Sequence, residues 1–151
     1  MQVANARLSD TSGGRAAAHA ARQTALYGDI WGSDPQYGTR LRDVLDTVDH
    51  RIGPHLARTY SRPVDRMIDF GAGDGRFLSA VFHAGLARVC TGVDVHQPED
   101  LPRWLSWRRQ CLWEPLDVSA EYAISTDTLE HMPPDMVPAV IANIHAAAPH
   151  G

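Results

Sequence analysis

The chain has 151 residues, 44% hydrophobic and 21% charged, enough apolar material for one globular domain with a substantial core. A formal net charge of −4 gives no basic surface for non-specific nucleic-acid binding, so no nucleic-acid partner is expected. No stretch approaches the roughly 18 apolar residues of a membrane span, and the polar start lacks the apolar segment of a secretory signal, so the expected localisation is cytoplasmic, away from membranes.

In chain order, residues 1–14 read as a loose polar terminus. The stretch 15–27, "RAAAHAARQTALY", has high helix propensity. A turn-rich link over 28–39 leads to a helix capped by Thr39, on which Leu41, Val44, Leu45, Val48 and Ile52 recur at helical spacing until Gly53-Pro54 interrupts it.

Beyond "SRPVD" the period changes. "RMIDF" reads as a buried strand, and "GRFLSAVFHAGL" as a helix closed by Gly85. Further strands are expected at "RVCTGVDV", "RRQCLW" and "EYAISTD", with "PEDLPRWLSW" as a short helical or irregular crossover. A last helix, "PPDMVPAVIANIHAAA", carries Asp135 as cap and Met136, Val137, Val140, Ile141 and Ile144 on one face. Alternating strands and helices define an α/β protein with a parallel sheet. Three segments follow: a flexible 1–14, a helical 15–60, and a ligand-binding domain over 61–151. Cys90 and Cys111 match no metal or redox spacing, and the eight histidines lack ligand spacing, so free thiols and no metal are expected.

The most informative stretch is "MIDFGAGDGRFL". A strand-to-helix turn in a parallel sheet points backbone N–H groups at the sheet's carboxyl edge, where ligands bind, and glycines there admit positive φ and close approach. Gly71, Gly73 and Gly75 are spaced G-x-G-x-G, whereas a dinucleotide fingerprint puts its third glycine where Arg76 stands. Asp69 would repel a pyrophosphate but suits a ligand bearing an ammonium. Asp94, at the end of the second strand, suits a pair of ribose hydroxyls.

These residues resemble the class I S-adenosylmethionine-dependent methyltransferases. "MIDFGAGDG" is similar to that family's first motif, "TGVDV" to the second, and "YAISTDTLEHMPPDMVPAVIANI" to its fourth-strand segment, together spanning 64–150. The resemblance implies a Rossmann-like parallel sheet with N-terminal helices and S-adenosylmethionine as cofactor. It implies that Asp69 holds the methionine ammonium while the backbone of Gly71, Ala72, Gly73 and Gly75 passes beneath the ligand. Asp94 would take the ribose and Val95 lie beside the adenine, with Leu112, Trp113 and Glu114 as the adenine-side stretch. Thr126 and Asp127 would border the methionine end. Tyr37, in a "DPQYGT" segment similar to one preceding the core of some members, is counted with the cofactor-binding residues. The implied catalytic group is Asp127, Glu130 and His131, any of which could take a proton from the acceptor. Trp104, Trp107 and Trp113 are expected in a half-buried crossover on the sheet rather than a nucleic-acid stacking platform.

The family's sheet has seven strands in the order 3-2-1-4-5-7-6, whereas this sequence supplies about four strands and then "APHG". The expectation is a fragment or truncated product, with strand four an exposed edge open to self-association. The leading reading is transfer of a methyl group to a small-molecule acceptor. The alternatives are a cofactor-binding fragment acting through a partner, and a nicotinamide-dependent oxidoreductase.

Overall fold

A computed structural model describes residues 6–28 and 37–149, without the side chains of 6–12, 26–28 and 37–41. Tyr37's side chain therefore lies outside the described residues. Helix α1 runs Ala6–Gly28, through Gly13-Gly14, and so begins well before Arg15, where helix propensity alone put its start.

Helix α2 (Tyr37–Thr47) continues through a wide π-turn (Val48–Ile52) into α3 (Gly53–Tyr60). Gly53-Pro54 thus does not interrupt the helical path, as its composition led one to expect. The Gly53 N–H donates to the Val48 carbonyl, five residues back, and this wider turn directly before Pro54 accommodates the proline's ring and missing N–H.

Among the described residues the sheet has four strands: β1 (Val64–Phe70), β2 (Ala87–Asp94), β3 (Leu105–Arg109) and β4 (Tyr122–Ile124). Their order is β3-β2-β1-β4, and all neighbours are parallel. This is the expected α/β sheet, with β1 at its centre. Helix α4 (Arg76–His83) follows β1, and α5 (Val137–Ala147) follows β4 after a single 3-10 turn, Leu129–His131.

One side of the sheet buries Met67, Cys90 and Trp107 beneath Val48, Ile52 and Leu56 of the N-terminal helices and Leu78 and Val81 of α4. The other side buries Ile68, Phe70 and Val93 against Leu112 and α5's Val140. Every residue from Met67 to Phe70 is buried, as the part of a strand covered on both faces requires, while Asp65 and Arg66 before them are exposed.

Three local expectations are corrected. The third strand lies at Leu105–Arg109, not at "RRQCLW", because Leu105 and Trp107 alternate into the core while Ser106 is exposed. Residues 111–114 instead close a turn, Glu114 N–H donating to the Cys111 carbonyl at 3.0 Å. Asp135 does not cap α5, whose N-cap is Met136; its carboxylate pairs with Arg15 of α1 at 2.9 and 3.1 Å. On α5, Val140 is fully buried but Ile141 is 46% exposed, so the apolar stripe is narrower than its spacing indicated. The crossover into β3 is irregular and half-buried, with Trp104 stacked on Phe82 at 4.3 Å.

Candidate cofactor site

The strand ends and the turns that follow them build a cleft at the carboxyl edge of the sheet. After β1 the chain must turn sharply, and Gly71, Gly73 and Gly75 take φ of 88, 60 and 79°. Such values strain any L-residue with a side chain. Gly71 carries a second constraint, because a Cβ there would overlap the buried side chain of Thr128, which crosses over it. Gly71 N–H donates to the Val93 carbonyl at 2.8 Å, tying the turn to the end of β2.

Asp94 fixes the same turn from its carboxylate: Oδ2 accepts from Gly73 N–H and Oδ1 from His96 N–H, each at 2.9 Å. Burial raises the Asp94 carboxyl above its ordinary range, and these backbone donors oppose the shift. Each oxygen keeps a further lone pair for a ligand hydroxyl.

Asp69 differs. It is 2% exposed, and its Oδ1 has no hydrogen-bond partner. Burial, with the neighbouring charge of Asp94, pushes its carboxyl up to about 7. An orphaned buried carboxylate is costly to the fold, and carboxyls perturbed in this way concentrate at clefts that bind ligands.

Two cavities meet here. The first, about 250 Å³, is lined by His19, Gln23, Gly73, Asp94, Val95, Leu112 and Met132. The second, about 640 Å³, is lined by Asp43, Thr47, Arg51, Asp69, Ala72, Arg76 and Thr126, among others. Gly71, Asp127 and His131 line both and form the divide between them.

Asp127 is one of only two non-glycine residues with positive φ among those described, at 49°. That strained conformation turns the chain after β4 back across the cleft. The expected residues Asp69, Gly71, Ala72, Gly73, Asp94, Val95, Leu112, Thr126, Asp127 and His131 are therefore brought together.

Others are not. Gly75 lies away from both cavities, facing the Trp107 ring and Leu105 and serving as N-cap of α4. Trp113 packs on His19, with ring centroids 4.8 Å apart, and lines neither cavity. Glu114 is turned onto the Cys111 N–H at 2.6 Å. Glu130 is exposed on the 3-10 turn outside the cleft. Sequence reasoning missed His19, Gln23, Thr128 and Met132, and also Asp43, Thr47 and Arg51. The last three stand four residues apart on one helical face, a spacing visible in the sequence but without meaning until β1 lies beside it.

The sheet order, the glycine turn after the central strand and the acidic strand ends define a Rossmann-like α/β domain of the class I methyltransferase type. The chain belongs to the methyltransferase domain family, whose sequence model matches residues 37–151. Among solved structures it is similar to Burkholderia thailandensis 1,6-didemethyltoxoflavin-N1-methyltransferase, bound to 1,6-didemethyltoxoflavin and S-adenosylhomocysteine. The two are 25% identical with a TM-score of 0.61, over 87% of this chain and 57% of that one. The fold also matches the Synechocystis magnesium protoporphyrin IX methyltransferase with bound SAM, at 21% identity and TM-score 0.55, over 84% of this chain and 64% of that one. Human N-acetylserotonin methyltransferase matches at 13% identity and TM-score 0.53, over 83% of this chain and 37% of that one. The chain thus spans less than two thirds of the length of each. No protein of curated function matches it significantly in sequence.

Proposed function

We propose that the protein binds S-adenosylmethionine across the two joined cavities and takes part in methyl transfer to a small-molecule acceptor. The observation that carries this reading is the unpartnered, buried Asp69 Oδ1 beside a cavity that Arg51 also lines. Arg51 makes no ion pair among the described residues. A carboxylate and a guanidinium in one cavity are complementary to the ammonium and carboxylate of an amino-acid end. Asp94 is the group for the ribose hydroxyls, and Val95, Leu112 and Met132 offer apolar walls for a base. The Burkholderia enzyme, which holds S-adenosylhomocysteine together with a small molecule, supports both the cofactor and the acceptor class.

When bound, S-adenosylmethionine supplies a methyl group activated on a sulfonium sulfur. This chain's residues bind, orient and accept a proton. Asp69 and Arg51 hold the amino-acid end, and Asp94 holds the ribose. Fixing both ends sets the direction of the in-line displacement, and such placement supplies most of the acceleration. His131 and Asp127, at the divide between the cavities, are the groups that take a proton from an acceptor that must lose one. Cys90 and Cys111 are both buried free thiols, the state that a reducing cytoplasm maintains.

Thermal unfolding tests the reading. S-adenosylhomocysteine at about 100 times its Kd should raise Tm by roughly 5–10 °C, and NAD should leave it unchanged. Two carboxylates around the glycine turn disfavour the pyrophosphate of NAD, so stabilisation by NAD alone would reverse the assignment. Stabilisation by S-adenosylhomocysteine without transfer to any acceptor would favour the alternative, cofactor binding without turnover.

A further inference from the structure

Helix α1 is not an appendage of this domain. Ala16 is buried, and its carbonyl accepts a hydrogen bond from Cys111 Sγ at 3.3 Å. One turn on, the 4%-exposed ring of His19 meets the Trp113 ring edge-on. Arg15 fastens the helix to the Asp135 carboxylate by two hydrogen bonds. Ala16, His19 and Gln23 follow an i, i+3, i+7 stripe, so one face of α1 descends from this anchor to the smaller cavity, where His19 and Gln23 form part of the wall.

That wall otherwise divides by chemistry. Asp94 and the glycine turn lie at the sugar-binding side, and Val95, Leu112 and Met132 are apolar. Glu114, the acidic residue nearest in sequence to Leu112, is held on the Cys111 N–H and does not line the cavity. Asp127, Thr128 and His131 belong to the divide near Gly71. The remaining polar side chains are His19 and Gln23. Burial, with the nearby charge of Arg22, lowers the His19 pKa, so the imidazole is neutral at pH 7 and offers one donor and one acceptor. A glutamine amide carries a donor and an acceptor side by side, the complement of the adjacent amino group and ring nitrogen on an adenine edge.

We infer that α1 supplies the base-reading end of the cofactor cavity, with Gln23 as the residue that selects adenine and His19 as the polar wall that holds it in register. This rests on the nucleoside-binding reading above and adds that base recognition comes from the N-terminal helix rather than from the segment after β3.

Calorimetry on the full chain tests it with two ligands: S-adenosylhomocysteine, and its analogue whose purine lacks the 6-amino group. The wild type should prefer the amino-bearing ligand by about tenfold, the worth of one well-made hydrogen bond. Gln23→Leu keeps the volume and should bring that ratio close to one. His19→Phe keeps the packing on Trp113 and should reduce it. Asp94→Ala should weaken both ligands alike and leave the ratio intact. Melting of the ligand-free variants checks that α1 stays docked, and a merely structural role for Gln23 would not move the ratio. Retention of the wild-type preference by both α1 variants would overturn the inference while leaving cofactor binding in place. Failure of the wild type to bind either ligand would overturn the nucleoside reading beneath it.

Discussion

At the scale of single residues, Asp69 concentrates the chemistry. Its folded-state pKa, about 7, lies above the ordinary 3.8 of an exposed aspartate, so between those values the folded chain holds a proton that the unfolded chain has released. Without ligand, stability contributed by this group is therefore present below pH 4 and is lost as pH rises to 7, by about 1.4 kcal/mol per unit. A ligand ammonium reverses the preference by favouring the ionised carboxylate. Affinity for S-adenosylhomocysteine should then climb by nearly tenfold per unit as pH approaches 7 from below, and level off above it. Calorimetry from pH 5.5 to 8 on the wild type and on Asp69→Asn should show the dependence in the first and a much flatter, weaker binding in the second. The difference between the two isolates Asp69 from the other titratable groups of the cleft. Asp69 and Asp94 are legible in the sequence as candidate ligand groups because one stands a residue before the end of β1 at the glycine turn and the other is the last residue of β2. That Asp69 lacks any partner was not readable, since it depends on every atom packed around it.

At the scale of elements, the β1–α4 turn was the most legible part of the chain. Its glycines stand at the change from strand to helix periodicity, and the backbone geometry they permit is a local property. The partner of the turn is not local: Thr128 reaches Gly71 from beyond β4. Gly71→Val should add left-handed strain to a collision with that side chain, destabilising the domain by about 3 kcal/mol. For a domain of this length that lowers Tm by roughly 10 °C in a thermal melt. In the sequence "LSW" follows Pro98 and Pro102 and reads as crossover, whereas Leu105 and Trp107 are drawn into the sheet by the core below them. Gly53-Pro54 reads as a break for an equally local reason. The π-turn absorbs it, and the helix continues with Asp43, Thr47 and Arg51 lined against the cleft.

At the scale of the whole molecule, β1 is shielded on both sides by β2 and β4, while β4 pairs only with β1 among the described residues. Its outer backbone groups form an edge of the kind that recruits another strand. Ile141 of α5 adds a large apolar side chain, 46% exposed. The 151-residue chain should therefore self-associate at micromolar concentrations, with scattering mass rising on concentration. Ile141→Glu, which buries no new charge at so open a position, should reduce that association without lowering Tm appreciably.

The sequence by itself determined the α/β class, the glycine turn, the two acidic strand ends and the family resemblance. These rest on periodicity, backbone freedom and short spacings, which act between neighbours along the chain. Tertiary structure alone decided that α1 reaches the cleft through His19 and Gln23, that Arg51 shares a cavity with Asp69, and that Glu114 and Glu130 stand outside it. Each of those outcomes depends on packing between distant segments, as the Arg15–Asp135 pair does across 120 residues, and no local pattern encodes which surfaces such packing brings face to face.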